Sequence, residues 1–222
     1  MAQKYFRYIP NFDYVDRTIN GKNISDYTLV KNLFKRAKIR EDIFADLTFF
    51  TKYKVNDNDR PDNVAFEVYQ DENLDWLVLL SNNIVNYETE WPMTQIAFNN
   101  YLLRKYGSFD EVYSTRYFET NEVKNSNGNV IVRKGFEVPE DYSITFFDPG
   151  INQIITSSSV FPVSNYDFEI RIEDQKRNIF LIKPEFIGLI IDDLTNIMKY
   201  IKGSGQYVSD TVVRGENILL FQ

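Results

Sequence analysis

The chain has 222 residues, 43% of them hydrophobic and 26% charged, with a formal net charge of −7 at neutral pH. That is enough apolar chain for one substantial core or two small ones. With no Cys and no His, thiol nucleophiles, disulfides, zinc sites built on Cys or His, and all imidazole chemistry are excluded. Enzymes built on Asp, Glu, Lys, Ser or Tyr remain open, paired-carboxylate glycosidases among them. The acidic balance and the scatter of Lys and Arg speak against a nucleic-acid partner. No apolar run approaches the roughly 18 residues of a membrane span, and "MAQKYFRYIPNFDY" has no apolar signal core, so action without membrane insertion is expected. The 15 Tyr and 18 Phe exceed what a core this size needs, and point to a Phe-rich core or to large protein contacts.

In chain order, residues 1–23 mix aromatics with turn formers and read as an extended arm. "SDYTLVKNLFKRAKIREDIF" then offers a cap at Ser25 or Asp26 and apolar residues at Leu29, Val30, Leu33, Phe34 and Ala37. The spacing predicts an amphipathic helix with Lys31, Lys35, Arg36 and Lys38 turned largely to water. "LTFFTKYKV", 47–55, reads as a strand, followed by the polar turn "NDNDRPDN". Pro61 starts a helix carrying Val64, Ala65, Val68 and Tyr69 on one face, with the Asp59 carboxylate placed to meet its first N–H groups and a stop near Asp71. Asn73 is the expected cap of a second helix, whose run from Leu74 through "WLVLL" is apolar nearly all round, so it should be buried on most sides. Asn82 or Asn83 can end it in the left-handed conformation.

"MTQIAFNNYLLRKYG" predicts a further helix with Ile96, Ala97, Tyr101, Leu102 and Tyr106 as its apolar positions and Gly107 as its stop. Beyond it, Asn127 and Gly128 between alternating runs predict a hairpin. Residues 136–164, with three prolines, Gly150 and "TSSS", read as loop. Tyr166–Ile172 and Asn178–Ile182 read as a second hairpin, leading through Pro184 into a helix that stops at Gly203. The final stretch, "SGQYVSDTVVRGENILLFQ", is an extended tail that must pair with something to be ordered.

No motif with catalytic or metal-binding spacing emerges. "DNDRPDN" resembles a calcium loop, yet with Asp57 first the sixth position is Asp62 rather than Gly and the twelfth is Val68 rather than Glu. The crowded carboxylates Glu88 and Glu90, Glu140 and Asp141, and Asp192 and Asp193 fall in loops or on exposed helix faces. "KYIKGSGQ" follows a helix instead of opening one and lacks the Lys-Ser/Thr pair of a phosphate loop. "NSNGN" reads as a solvated hairpin tip or a recognition finger. Trp76 reads as core among its Leu neighbours, whereas Trp91 beside Pro92 in a loop reads as an exposed anchor.

The run "YKVNDNDRPDNVAFEVYQDENLDWLVLLSNNIVN" resembles a LysM module: a Tyr-x-Val strand, an Asn-Asp turn, two helices and "LLSNNI" closing the second. "YETEWPMTQIAF" occupies the place of that module's second strand and looks partly helical. A longer resemblance is to the baseplate wedge family of contractile-tailed bacteriophages that contains a LysM-like domain. It is carried by "YFRYIPNFDYVDRTI", "NLFKRAKI", "RPDNVAFEVYQDENLDWLVLLSNNIVNYETEWP" and "YDFEIRIEDQKRNIFLIKPEFIGLIIDDLTNIMKYI", in that order. The "NSNGN" hairpin and residues 136–164, within the insertion 119–164, fall outside the pattern.

The resemblance implies a structural subunit without enzymatic activity or cofactor. It would clamp the helical core of the wedge and tie neighbouring wedges together, in several copies of a symmetric virion assembly put together in the host cytoplasm. LysM-type binding of peptidoglycan is the alternative it leaves open. The expected fold is α+β, a small LysM-like strand–helix–helix core with flanking helices, β-hairpins and extended terminal arms. Four segments are expected: 1–46 (arm and helix), 47–107 (LysM-like core and following helix), 108–164 (hairpin and loop insertion) and 165–222 (hairpin, C-terminal helix and tail). The residues expected to grip partners are Tyr5, Phe6 and Tyr8 on the aromatic arm and Tyr87 and Trp91 after the core.

Overall fold

The computed structural model describes residues 4–15, 27–203 and 206–215. The expected cap at Ser25 or Asp26 lies outside them. The chain divides into two units, Met1–Trp91 with Asn178–Gln222, and Pro92–Arg177. The segment boundaries expected near 46, 107 and 164 fall at junctions between elements inside these units.

In the first unit the described part of the N-terminal stretch, 4–15, is not an extended arm but a single helical turn, α1 (Tyr5–Tyr8), followed by β1 (Asn11–Val15). The amphipathic helix expected from Ser25 is replaced by β2 (Tyr27–Lys31), a turn, and the short α2 (Glu41–Phe44). Tyr27, Thr28 and Val30 favour a pleated backbone, and β1 offers an antiparallel ladder from Asn11 opposite Lys31 to Val15 opposite Tyr27, so pairing overrides the helical spacing. Two lysines expected in water serve as caps instead. Lys31 Nζ donates to the Ile9 carbonyl at 2.8 Å, and Lys35 Nζ to the Met198 and Lys199 carbonyls at 3.0 and 2.7 Å.

β3 (Phe50–Lys54) leads through the acidic turn into α3 (Pro61–Tyr69), with Pro61 in the first turn and Gln70 closing it at φ 58°. The Asp59 carboxylate does not cap this helix; it turns back to accept the Asn56 N–H at 3.2 Å. α4 (Asp75–Ser81) is entered through a 3-10 turn whose cap is Asp71, accepting the Asn73 N–H at 3.0 Å, so Asn73 is the donor and not the cap. Trp76, Leu77 and Val78 are buried, as the all-round apolar run requires. Asn83 takes the left-handed turn at φ 53°, and Asn86 caps α5 (Tyr87–Glu90).

The second unit opens with α6 (Gln95–Tyr106), capped by Thr94 and stopped by Gly107 at φ 85°. Its buried face is Phe98 and Leu102; Ile96 and Ala97 are exposed. α7 (Phe109–Tyr113), β4 (Thr115–Thr120), β5 (Val123–Lys124) and β6 (Val130–Val132) follow, and the β5–β6 hairpin turns at Gly128 with φ 82° as predicted. The region read as loop, 136–164, is instead four strands: β7 (Glu137–Val138), β8 (Ile144–Asp148), β9 (Gln153–Ser157) and β10 (Val160–Ser164). Its prolines are compatible with strands because Pro139 and Pro149 lie between them and Pro162 lies on β10, an edge of the β10–β4–β7 sheet.

α8 (Asn165–Lys176) corrects the strand expected over Tyr166–Ile172. Ser164 and Asp167 form a reciprocal capping box, and Glu169 and Glu173, four residues apart, are buried side by side along one face. Alternating Phe168, Ile170 and Ile172 imitate a strand, but it is the glutamate spacing that matches the buried face.

The chain then returns to the first unit as β11 (Asn178–Ile182), antiparallel to β3 with Ile182 opposite Phe50 and Asn178 opposite Lys54. Strand, two helices and second strand therefore form one motif, β3–α3–α4–β11, interrupted in sequence by the whole second unit. Asn82 seals the outer edge of β11. Its Nδ2 donates to the Phe180 carbonyl at 2.9 Å and its Oδ1 accepts the Phe180 N–H at 2.8 Å. α9 (Ile187–Met198) buries Ile190, Leu194 and Met198 and ends at Met198 rather than at Gly203. β12 (Tyr207–Ser209) and β13 (Val212–Arg214) complete a sheet of order β12–β13–β1–β2, β13 running parallel to β1. The described part of the tail, 206–215, thus pairs with the N-terminal stretch through β13 and β1.

Candidate partner-docking surface

The aromatic residues near the N-terminus build one wall of a groove on the first unit. α1 lays Tyr5 and Tyr8 against Trp76 of α4, with ring centroids 6.1 and 5.7 Å away, and the Tyr5 hydroxyl accepts the Ala37 N–H at 3.1 Å. Two of the three aromatics are therefore partly used in holding α1 down. Phe6 is not: it is 62% exposed, its ring edge-on to Tyr5 at 6.0 Å. Between Phe6 and the α3–α4 region opens a cavity of about 550 Å³, lined by Lys4, Tyr5, Phe6, Trp76 and Leu79 and by the polar side chains Asp62, Glu72, Asn73 and Asp75. Burial pushes the Asp75 carboxyl above the usual aspartate range; the Trp76 N–H it accepts works against that rise and the charge of Asp62 adds to it. A groove with an apolar floor and a carboxylate rim suits contact with a protein chain.

The second expected patch divides. Tyr87 is 46% exposed and stacks on Trp91 at 6.2 Å and 25°. Trp91 is not the exposed anchor expected from its place beside Pro92. It is 2% exposed, and its Nε1 donates to the Asp59 carbonyl at 2.9 Å, fixing the acidic turn ahead of α3. A buried indole needs a partner for its one donor, and the turn supplies it.

The crowded carboxylates are structural where they are engaged at all. Glu90 accepts the Val85 and Asn86 N–H groups at 2.6 and 3.0 Å, and Arg40 lies 3.3 Å from Asp193. Glu88, Glu140, Asp141 and Asp192 are exposed. Sequence reasoning missed the buried acids of the second unit. Glu169 accepts from Lys105 Nζ at 2.7 Å, Tyr106 at 2.8 Å and Tyr101 at 3.2 Å; Glu119 is paired with Arg171 and Tyr117; Glu173 with Lys176 and the Met93 N–H. Burial drives the Glu169 carboxyl up, but the Lys105 ammonium and the tyrosine hydroxyls hold it below the ordinary glutamate range. These three are internal ties, each acid matched by a cation, while the fourth buried acid, Asp148, is held by the Ser126 and Gly150 N–H groups.

Among the described residues no helix is long and apolar enough to cross a membrane. No curated protein matches the chain at a significant level. A family model described as base plate wedge protein 53 matches residues 5–197, which takes in β3, α3, α4, β11 and nearly all of α9 in the first unit and the whole of the second. The chain therefore belongs to the phage base plate wedge protein 53 family, and is a structural component of the tail baseplate.

Proposed function

We propose that the protein clamps the core of the baseplate wedge and joins neighbouring wedges, as a subunit without enzymatic activity present in several copies of a symmetric assembly built in the host cytoplasm. The carrying observation is the aromatic groove with Phe6 on its open side. Exposed aromatics beside a partly desolvated pocket are where binding energy concentrates in protein interfaces. Tyr5, Tyr8 and Tyr87 belong to the same docking reading, Tyr5 as the support of Phe6, Tyr8 as a ring that holds α1 against Trp76, and Tyr87 as a second exposed ring. The β3–α3–α4–β11 order supports a LysM-like core, its second strand displaced along the chain by the inserted unit.

The test is reconstitution of the full chain with the other purified wedge proteins. The Phe6→Ala, Tyr87→Ala double variant should bind them at least about tenfold more weakly, each truncated anchor costing on the order of 1–2 kcal/mol. Unchanged affinity sinks the assignment of this surface, and failure of the wild-type chain to join any wedge complex sinks the function. The same motif favours one other reading, capture of N-acetylglucosamine polymers. Saturable sedimentation of the chain with purified peptidoglycan, without wedge binding, is the result that reading requires.

A further inference from the structure

The groove is not electrically neutral. Asp62, Glu72 and Asp75 bring three carboxylates to its lining, against the single ammonium of Lys4. Arg60 reaches Asp62 at 3.2 Å, but this is an exposed surface pair, of the kind that contributes little and exchanges readily. The same lining is rich in aromatics: Tyr5 and Phe6 from α1 and Trp76 from α4. A volume of about 550 Å³ lies within the range of sites that enclose a side chain with some of its backbone.

Resting on the docking reading above, we propose that this groove receives an arginine side chain from an extended segment of another wedge protein, its guanidinium stacked on the aromatic wall and hydrogen-bonded to Asp62 and Asp75. Arginine fits better than lysine. Its planar, weakly hydrated head stacks on rings and offers a fork of donors to carboxylates, whereas an ammonium is compact and strongly hydrated. A purely apolar side chain would leave the carboxylate rim desolvated without compensation. Burial is the main cause of the raised Asp75 carboxyl and the Asp62 charge adds to it, so a cation seated beside both carboxylates would be attracted by each.

The experiment measures binding of the full chain to the purified wedge proteins at two salt concentrations, with wild type and the Asp62→Asn, Asp75→Asn double variant. The side-chain amide introduced at position 75 can still accept the Trp76 N–H, so the variant should melt within a few degrees of wild type. Its affinity should fall at least about tenfold, and its salt dependence should flatten. If wild type binds and the variant matches it within twofold at both salts, the inference is overturned while the docking function stands; if wild type does not bind, both fall. A second arm needs no variant. Acetyl-Gly-Arg-Gly-amide titrated into the wild-type chain should shift the Trp76 indole N–H signal saturably and leave Trp91 still, and the neutral citrulline peptide should shift neither signal. Equal responses to the two peptides, or none to either, would refute the proposal.

Discussion

Replacing Glu169 with Gln probes how the second unit holds together. Its apolar cluster is small, Phe98, Leu102 and Val112 with partly buried neighbours, and Glu169 beside it is 4% exposed with three donors converging on its carboxylate. Glutamine keeps one acceptor oxygen but loses the charge. The net loss is about one charge-assisted hydrogen bond, on the order of 1.5–3 kcal/mol, reduced because the Lys105 side chain is 43% exposed and can be rehydrated. A value of about 1–2 kcal/mol is expected, a sizeable part of the roughly 5–15 kcal/mol of a whole domain. The assay is amide hydrogen exchange, which separates the units: protection should fall along α6 and α8 and stay unchanged along α4 and β11. The pH dependence carries a sign. The folded carboxyl lies below its ordinary value of 4.5, so its stabilisation is complete above about pH 4.5 and is lost as pH falls through the folded value; the variant should lack that component. Equal protection in both proteins, or an undiminished acid response in the variant, would refute the reasoning.

Three further outcomes follow from the geometry. A Cβ added at Gly150 would lie 1.9 Å from Ser126 Oγ, breaking the clip in which Asp148 takes the Ser126 and Gly150 N–H groups at 2.9 and 3.0 Å. Gly150→Ala should therefore cost about 1–3 kcal/mol, seen as faster exchange in the β8–β9 hairpin. Lys35→Met leaves the Met198 and Lys199 carbonyls without their cationic cap and should lower stability by about 0.5–2 kcal/mol, measured by urea unfolding. Asn82→Ala removes both bonds to Phe180 and should cost about 1–3 kcal/mol; protection at β11 that matches wild type would show that the β3 ladder alone secures the strand.

Legibility in the sequence followed the range of the interactions. α3, α4 and α6 and the Gly128 hairpin were readable because Pro61, Gly107, Gly128 and the continuous apolar run act within a few residues. β2 was not, since its helical spacing was genuine and only the distant β1 made a strand preferable. The α8 helix carried a readable signal that was outweighed: Ser164 and Asp167 have capping-box spacing, but Phe168, Ile170 and Ile172 alternate. β11 could be recognised as a strand, though not as the partner of β3 across the inserted unit. At the docking surface the aromatic wall was visible in "YFRY". The acidic rim was not, because Asp62, Glu72 and Asp75 sit near helix starts where capping explains them locally, and nothing local brings them to Phe6. Trp91 misled for a similar reason, its decisive bond being to Asp59, far back in the chain.

The most direct test of the account is assembly of the purified wedge proteins with and without this chain, followed by sedimentation and electron microscopy. The account predicts that wedges join into closed baseplates only when the chain is present, with the face bearing Phe6 and Trp76 covered by another subunit. Closed baseplates formed in its absence, or a face left open to solvent in the assembled particle, would contradict it.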